Sequence, residues 1–389
     1  MQARIYRIVV VAVALLLALA ILPAPRTAAA ELKIGAILPI SGYLAAVGQG
    51  QKVAMDMAVE EINAAGGVNG KKIQVMVVDD SGKIEESITA AKRVIDRDKV
   101  LMIWGPFTSG QSESTFPVAN RAGVPIVSSS SAKPGVAAAN RPWAFRNSVT
   151  TDKRYRDIVQ LWVKRFNIKR VVILFDSQEP VMKATAEQDF PMLVKNAGAQ
   201  VVDSITHGTK DVDHSAQITR LKSVKPDGVM VSAVHGGAAL IAKEMVKQGL
   251  GKLPVMGGIA HDSRWVELAG SAAEGAWTTN GFWTDSPDAN MQKFLKAFKE
   301  RSKGGFAPNA EIAALYDTVH ISAKIMKEQA ITGEPAKLQE EREKIRRGWE
   351  AVKEYPGVTG LTTMTPSGDT FKTTEMLVVR EGRFQRIPQ

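Results

Sequence analysis

The sequence predicts an α/β protein made of two doubly wound parallel-sheet units, and three observations carry that prediction. Short apolar runs alternate with helix-period stretches along most of the chain, the order produced by parallel strands with right-handed helical crossovers. Several of these runs end in glycine- or hydroxyl-containing turns, at the carboxyl edge where open α/β sheets hold ligands. The chain has 389 residues, 45% of them hydrophobic, enough for two compact domains with separate cores.

The elements follow in order. Leu32–Leu38 reads as a first strand ending at Pro39-Ile40-Ser41-Gly42. From Gly48 to Ala65, Val53, Ala54, Met57, Ala58 and Ile62 recur at helical spacing, and the glycines of 66–70 stop the helix. Lys72–Val78 is a second strand ending at Asp79-Asp80, and Ile84–Arg97 a second helix. Val100–Trp104 is a third strand, Pro125–Val127 a fourth, and Ala144–Asn147 a short extended piece. The alternation then restarts, with a helix from Asp152, a possible N-cap, to Phe166 and a strand over Arg170–Phe175. A helix over Pro180–Ala197 follows, then strands at Gln200–Ile205, Gly228–Ser232 and Leu253–Met256, with helices at 215–224 and 236–248. Long helices are expected over 288–303 and 311–329, and the charged run Gln339–Arg347 reads as a solvated helix face. Val358–Met364 and Thr374–Arg380 read as a β-pair joined across Pro366-Ser367-Gly368-Asp369.

The most informative stretch is Gly105-Pro-Phe-Thr-Ser-Gly-Gln-Ser112. It joins a strand end to a helix N-terminus, where free backbone N–H groups and the helix dipole favour negative charge. Thr108 and Ser109 add hydroxyls. A second strand end runs into Ser128-Ser129-Ser130-Ser131. Two such ends side by side can hold a small anion or carboxylate. The structural alternatives are that Ser109 caps its helix and that the serines form an ordinary polar loop.

Composition narrows the functional classes. The chain has no cysteine, which excludes disulfides, thiolate metal sites and cysteine nucleophiles. The net charge is +10, yet no dense basic stripe interleaved with aromatics marks a nucleic-acid surface. Arg4 and Arg7, the apolar run Ile8–Leu22, the break at Pro23 and Pro25, and Ala28-Ala29-Ala30 read as a signal peptide over residues 1–30, cleaved before Glu31. An uncleaved anchor is the alternative, although the run is short for a span of about 20 residues. The expected location is the periplasm.

Lys33–Gly42, Ala58–Gly70, Val78-Asp79-Asp80, Ile103–Ser109, Val124–Ser128, Ala273-Glu-Gly275 and Gly357–Gly360 together resemble the periplasmic solute-binding proteins of branched-chain amino acid ABC transporters, the leucine/isoleucine/valine-binding type. The resemblance spans nearly the whole chain after residue 30. It implies a type I periplasmic binding fold, with two lobes joined by three crossing strands near Thr150, Phe282–Thr284 and Pro356. Lobe one would be 31–149 plus 283–355, and lobe two 150–282 plus 356–389. The implied partners are a small-molecule carboxylate ligand and the permease and ATPase subunits of an importer; the expected state is a monomer, with no cofactor and no metal.

The resemblance also carries over a site. Its carboxylate-binding serine falls on Ser109, beside Phe107 and Thr108, and its second anchoring loop on Ser130-Ser131-Ala132. Ala132 stands where the family usually has a threonine, for which Ser131 can substitute. Val47 stands where an aromatic commonly lines the first loop, with Tyr43 nearby. Pro180 replaces a tyrosine after the Asp176 strand, and a second tyrosine position falls near His235. The acid that pairs with a ligand ammonium falls near Ile259, with Asp262 three residues on. Tyr43 packing on lobe one and His235 as a capping or surface residue are the structural alternatives.

Burying an ammonium without an acidic partner costs several kcal/mol. The residues therefore favour an organic acid without an α-amino group, with an aromatic or branched aliphatic body, over an amino acid or amide. No nucleotide-binding, zinc-protease or nucleophile-elbow motif is present, and the five histidines lack metal-ligand spacing. The chain reads as a binding protein and not an enzyme. The alternatives are a ligand-sensing subunit and an exported hydrolase on the same fold.

Overall fold

The four apolar runs read as strands between Leu32 and Val127, and the extended piece at 144–147, all enter one sheet in the computed structural model, which describes residues 31–258, 260–305 and 308–387. The signal peptide expected over 1–30 lies outside the described residues. Among the described residues no helix is long and apolar enough to cross a membrane. The strands are β1 (Leu32–Leu38), β2 (Ile73–Asp79), β3 (Ile103–Trp104), β4 (Ile126–Ser128) and β5 (Ala144–Arg146), in the order β2-β1-β3-β4-β5 and all parallel. Helices α1 (Ala45–Ala64), α2 (Ile84–Lys92) and α3 (Ser109–Ala122) make the crossovers. Burial on both faces is legible along β1. Ile34, Ala36 and Leu38 enter one cluster with Trp104, Phe145 and Leu315, while Ile37 enters another with Val94 and Phe116.

The second sheet begins after α4 (Thr151–Arg165). Its parallel strands are β6 (Arg170–Asp176), β7 (Gln200–His207), β8 (Gly228–Ser232), β9 (Val255–Gly257) and β10 (Trp277–Asn280). The helices between them are α5 (Pro180–Ala184), α6 (Phe190–Asn196), α7 (Ser215–Val224), α8 (His235–Lys247) and α9 (Ser263–Ala269). The sequence reads 180–197 as one helix; a π-helical turn over Thr185–Asp189 divides it, just ahead of Pro191, which has no N–H to give the helical ladder. Nor does Asp152 cap α4: Thr150 occupies the N-cap, with no side-chain cap bond, and Asp152 lies in the first turn.

The chain then returns to the first sheet. Helices α10 (Ala289–Arg301), α11 (Ala310–Glu328) and α12 (Leu338–Glu350) follow, with α11 and α12 burying Leu315, Ile325, Ile345 and Trp349 in the cluster of β1 and β3. The charged run of α12 is only partly a solvated face. Glu341 is buried and accepts from the N–H groups of Thr332 (2.6 Å) and Gly333 (2.8 Å), and Arg342 is buried and donates to the Val100 carbonyl at 2.8 and 3.0 Å.

The tail departs from the sequence reading. β11 (Tyr355–Gly357), β12 (Gly360–Met364) and β13 (Thr370–Lys372) form a small antiparallel sheet. The strand expected to pair with 358–364, β14 (Glu375–Arg380), instead joins the second sheet between β10 and β15 (Arg383–Arg386), in the order β15-β14-β10-β9-β8-β6-β7. Met364 packs in the cluster of the first sheet and β14 lies in the second, so the chain runs from one to the other after β13. Alternation cannot distinguish partners for two β-runs that a short turn separates.

A buried ion pair fixes this hairpin. Arg146, at the end of β5, is wholly buried, and its guanidinium donates to Asp369 in the turn between β12 and β13. The Arg146 N–H also donates to the Gly368 carbonyl at 2.8 Å. Removing one partner strands a charge in the core, which costs about 3–5 kcal/mol. Asp369→Leu is expected to lower unfolding free energy by that amount in urea titration, and adding Arg146→Met to recover most of it. Equal stability of the Asp369→Leu single variant and the wild type would show that the pair is not what holds the hairpin.

Candidate functional site

The carboxyl ends of β3 and β4 meet at Ser109. Thr108 is the N-cap of α3: its hydroxyl accepts from the Gln111 N–H at 3.2 Å, and the Gln111 side chain accepts from the Thr108 N–H at 2.9 Å. The capping alternative for Ser109 is thus taken by its neighbour. Ser109 Oγ instead accepts from the N–H groups of Ala132 and Lys133, both at 3.2 Å, and from the Ser131 hydroxyl at 3.3 Å. A hydroxyl engaged as an acceptor still has its own proton to give.

The serine loop is set from behind. Ser128 Oγ donates to the Pro106 carbonyl at 2.7 Å and accepts from the Ser131 N–H at 3.1 Å. Arg146 donates to the carbonyls of Ser131 (3.2 Å) and Lys133; the Ser131 carbonyl shares a peptide unit with the Ala132 N–H, so that bond turns the Ala132 N–H towards Ser109. Gln51 of α1, buried and not anticipated from the sequence, donates to Ser129 Oγ (3.0 Å), Ser130 Oγ (2.9 Å) and the Glu311 carbonyl (3.2 Å). Its Oε1 has no partner among the described residues. Ser109, Ser130, Ser131 and Ala132 therefore form one connected group.

The adjacent carboxylates hold turns. Asp79 accepts from the N–H groups of Ile40, Ser41 and Ser81. Asp80 accepts from the Gly82 N–H, the Ser87 hydroxyl and the Gln111 amide, and burial raises its pKa. Tyr43 does not pack into the first core: it is 75% exposed and its ring lies over Gly82, where a Cβ would come within 3.0 Å. Its pKa is raised by burial and then by the Glu179 and Asp80 carboxylates. Glu179, the N-cap of α5 just beyond β6, thus brings the second sheet's carboxyl edge close to Tyr43. Val47 packs on the cluster of Ala54, Phe282 and Phe294, and Phe107 is half-buried beside the Ser109 group.

His235 opens α8 on the second-sheet side, apart from the Ser109 group. Its Nε2 lies 3.0 Å from Asp262, whose other oxygen caps α9 by accepting from the N–H groups of Arg264 (2.9 Å) and Trp265 (3.3 Å). The Asp262 hydrogen bond raises the pKa of His235 against the opposing effect of burial. Asp262 is thus committed to a cap and to a histidine. Ile259 lies outside the described residues. Glu311, in the first turn of α11, lends a minor upward push to the pKa values of both His235 and Tyr155. No hydrogen bond or ion pair engages its carboxylate among the described residues. An acid in a helix first turn is so common that its sequence position gives no signal of this.

Against known proteins, residues 31–381 match the model of a family described as periplasmic binding protein. A Leu/Ile/Val-binding protein of Rhizobium johnstonii is 28% identical over 342 residues, 87% of this chain and 89% of its own length. The substrate-binding protein LivJ of a branched-chain amino acid transporter from Streptococcus pneumoniae, solved with isoleucine, superposes with a TM-score of 0.74 at 26% identity, covering 91% of this chain and 98% of that one. A solute-binding protein of an ABC transporter from Rhodopseudomonas palustris, solved with 3,4-dihydroxybenzoic acid, shares the fold with a TM-score of 0.75 at 23% identity, over 92% and 96% of the two chains. With its two mainly parallel sheets and helices on both faces, the chain belongs to the periplasmic binding protein family, as a substrate-binding protein of the branched-chain amino acid ABC transporter type.

Proposed function

We propose that this chain is the extracytoplasmic solute-binding component of an ABC importer, exported to the periplasm with residues 1–30 removed. It captures a small carboxylate between two lobes, one around each large sheet, and delivers it to a permease driven by an ATPase. The observation that carries the reading is the Ser109 group. Two strand ends and a helix N-terminus converge there, with a hydroxyl proton still to be donated, which suits a carboxylate. Phe107 and Tyr43 supply apolar walls, and His235 faces the ligand from the other side.

The ligand is an organic acid without an α-amino group, with an aromatic or branched aliphatic body. Support comes from Asp262, which is occupied by α9 and His235, and from Ile259 at the family's acid position. The fold does not choose between the classes, since relatives of the same fold hold isoleucine in one case and a dihydroxybenzoate in another. One observation favours a second reading, an α-amino acid: the unengaged Glu311 carboxylate is an acceptor for an ammonium group.

A thermal-shift panel separates the two readings, because a ligand at 100 times its dissociation constant adds about 2.7 kcal/mol of stability. Benzoate, phenylacetate or isovalerate is expected to raise the Tm, and the same ligand to reduce the radius of gyration in small-angle scattering as the lobes close. Stabilisation by leucine, isoleucine or valine alone would overturn the organic-acid reading, and saturation without compaction would overturn closure.

Ser109→Ala removes a charge-assisted hydrogen bond worth about 1.5–3 kcal/mol. Affinity for the ligand found in the panel is expected to fall at least about ten-fold. A lowered Tm with unchanged affinity would reduce Ser109 to a brace between two loops.

The raised pKa of His235 sets a pH dependence. The charged pair with Asp262 contributes its full stability below about pH 6.5, the ordinary histidine value, and loses it as pH rises through the raised folded value. A charged His235 also favours a carboxylate, so affinity is expected to fall over the same rise in pH, and His235→Gln to flatten both that part of the Tm–pH curve and the affinity change. A curve of unchanged slope would show that His235 does not titrate there.

A further inference from the structure

A cavity of about 460 Å³ lies within the second-sheet half, between the sheet and helices α8 and α9. That volume is in the range of small-molecule sites. Its walls include Val231, Ile241, Met245, Leu253 and Trp265, while Trp277, whose ring packs on Phe166 at the other face of the sheet, borders the mouth. Its mouth lies at the amino-terminal ends of β9 and β10, the edge of the sheet opposite His235 and Glu179. Three cations stand there: Arg165 at the end of α4, Lys252 before β9 and Arg380 at the end of β14. Among the described residues none of the three has a carboxylate partner. The one acid on the lining, Glu274, accepts from the Gly382 N–H at 2.8 Å.

The inner end carries unmet polar demand. Trp265 is 1% exposed, and its Nε1–H has no hydrogen-bond partner among the described residues. His261, 2% exposed, stacks on it with ring centroids 4.5 Å apart and leaves Nδ1 without a partner. Burial lowers the pKa of His261 to about 3, so its ring is neutral at physiological pH. A buried donor without an acceptor is costly, and native interiors seldom leave one. Apolar walls, a cationic mouth and a donor at the inner end together define a ligand.

We propose that this cavity is a second small-molecule site. It takes an amphipathic carboxylate whose charged end meets Arg165, Lys252 and Arg380, whose apolar body lies along Ile241, Met245 and Leu253, and whose far end offers an acceptor to the Trp265 indole N–H. The inner wall runs into the site facing the first sheet, since His261 adjoins Asp262, the partner of His235.

The test uses the full mature chain labelled with ¹⁵N-tryptophan, with the Trp265 indole resonance assigned by its loss in Trp265→Phe. The probe is 3-(4-methoxyphenyl)propionate, which has a carboxylate at one end and an ether oxygen at the other. A saturable shift of the Trp265 indole resonance is expected. It should persist in Ser109→Ala, disappear in Ala242→Phe, which plugs the cavity, and need several-fold more probe in Arg380→Gln, a surface change that leaves the core intact. The corresponding amide should bind more weakly than the acid, and 3-phenylpropionate, without the acceptor, should leave the indole N–H unshifted. No shift up to the solubility limit, an equal shift in Ala242→Phe, or equal binding of acid and amide would overturn the proposal. Loss of the shift in Ser109→Ala would do the same, by tracing the signal to the site between the lobes.

Discussion

The wholly buried guanidinium of Arg146 is the constraint on which the first half of the molecule depends. A charge in a core must be surrounded by acceptors, and those available come from distant parts of the chain. Asp369 supplies the compensating charge from the tail hairpin, while Ser131 and Lys133 supply carbonyls from the loop after β4. One side chain thus couples the edge of the first sheet, the last hairpin and the loop whose N–H groups hold Ser109. The position of the Ser109 hydroxyl follows from a charge satisfied behind it, and not from the loop's own preferences.

The two carboxyl edges differ in how their polar groups are engaged. On the first-sheet side nearly every hydroxyl and carboxylate near Ser109 is tied to backbone or to another buried side chain, through Gln51, Gln111, Ser128 and Asp80. On the second-sheet side the buried Asp176 and Ser232 are tied in the same way, Asp176 to Gln178, Glu179 and Thr209 and Ser232 to the Met182 carbonyl, but the linked His235 and Asp262 are 40% and 27% exposed. Hydrogen bonds to buried groups lock rotamers, whereas half-exposed pairs keep part of their freedom. The first edge is preorganised throughout, whereas the second joins fixed strand ends to a histidine–aspartate pair that can adjust in position and in charge.

The parallel strands, and the convergence of Ser109 with the serine loop, were legible because local pattern determines them: apolar runs buried on both faces, and hydroxyls at strand ends. What was not legible depends on partners remote in sequence. The pairing of β14 with β10 and not with β12 is decided across the sheet, and β10 itself, Trp277-Thr-Thr-Asn280, is too short to carry a periodic signal. Glu341 and Arg342 read as solvated because charge is read as exposure, yet Glu341 holds the loop just ahead of its own helix and Arg342 donates to a carbonyl 242 residues away. Gln51 and Glu311 lie on long helices where glutamine and glutamate are unremarkable, so only the fold reveals what they face.

The tail hairpin also has a consequence in time. Arg146 and its counter-charge are 223 residues apart. A chain that emerges amino end first acquires the arginine early and the aspartate late. Helices α11 and α12, which complete the same core, also emerge after the whole parallel part of the second sheet. The first sheet must therefore wait, with an exposed apolar face and an unbalanced charge, while the second gathers all its parallel strands. The half of the molecule nearer the amino end is thus the later one to be sealed, and during that interval it is the half most open to capture by a chaperone or by another unfinished chain.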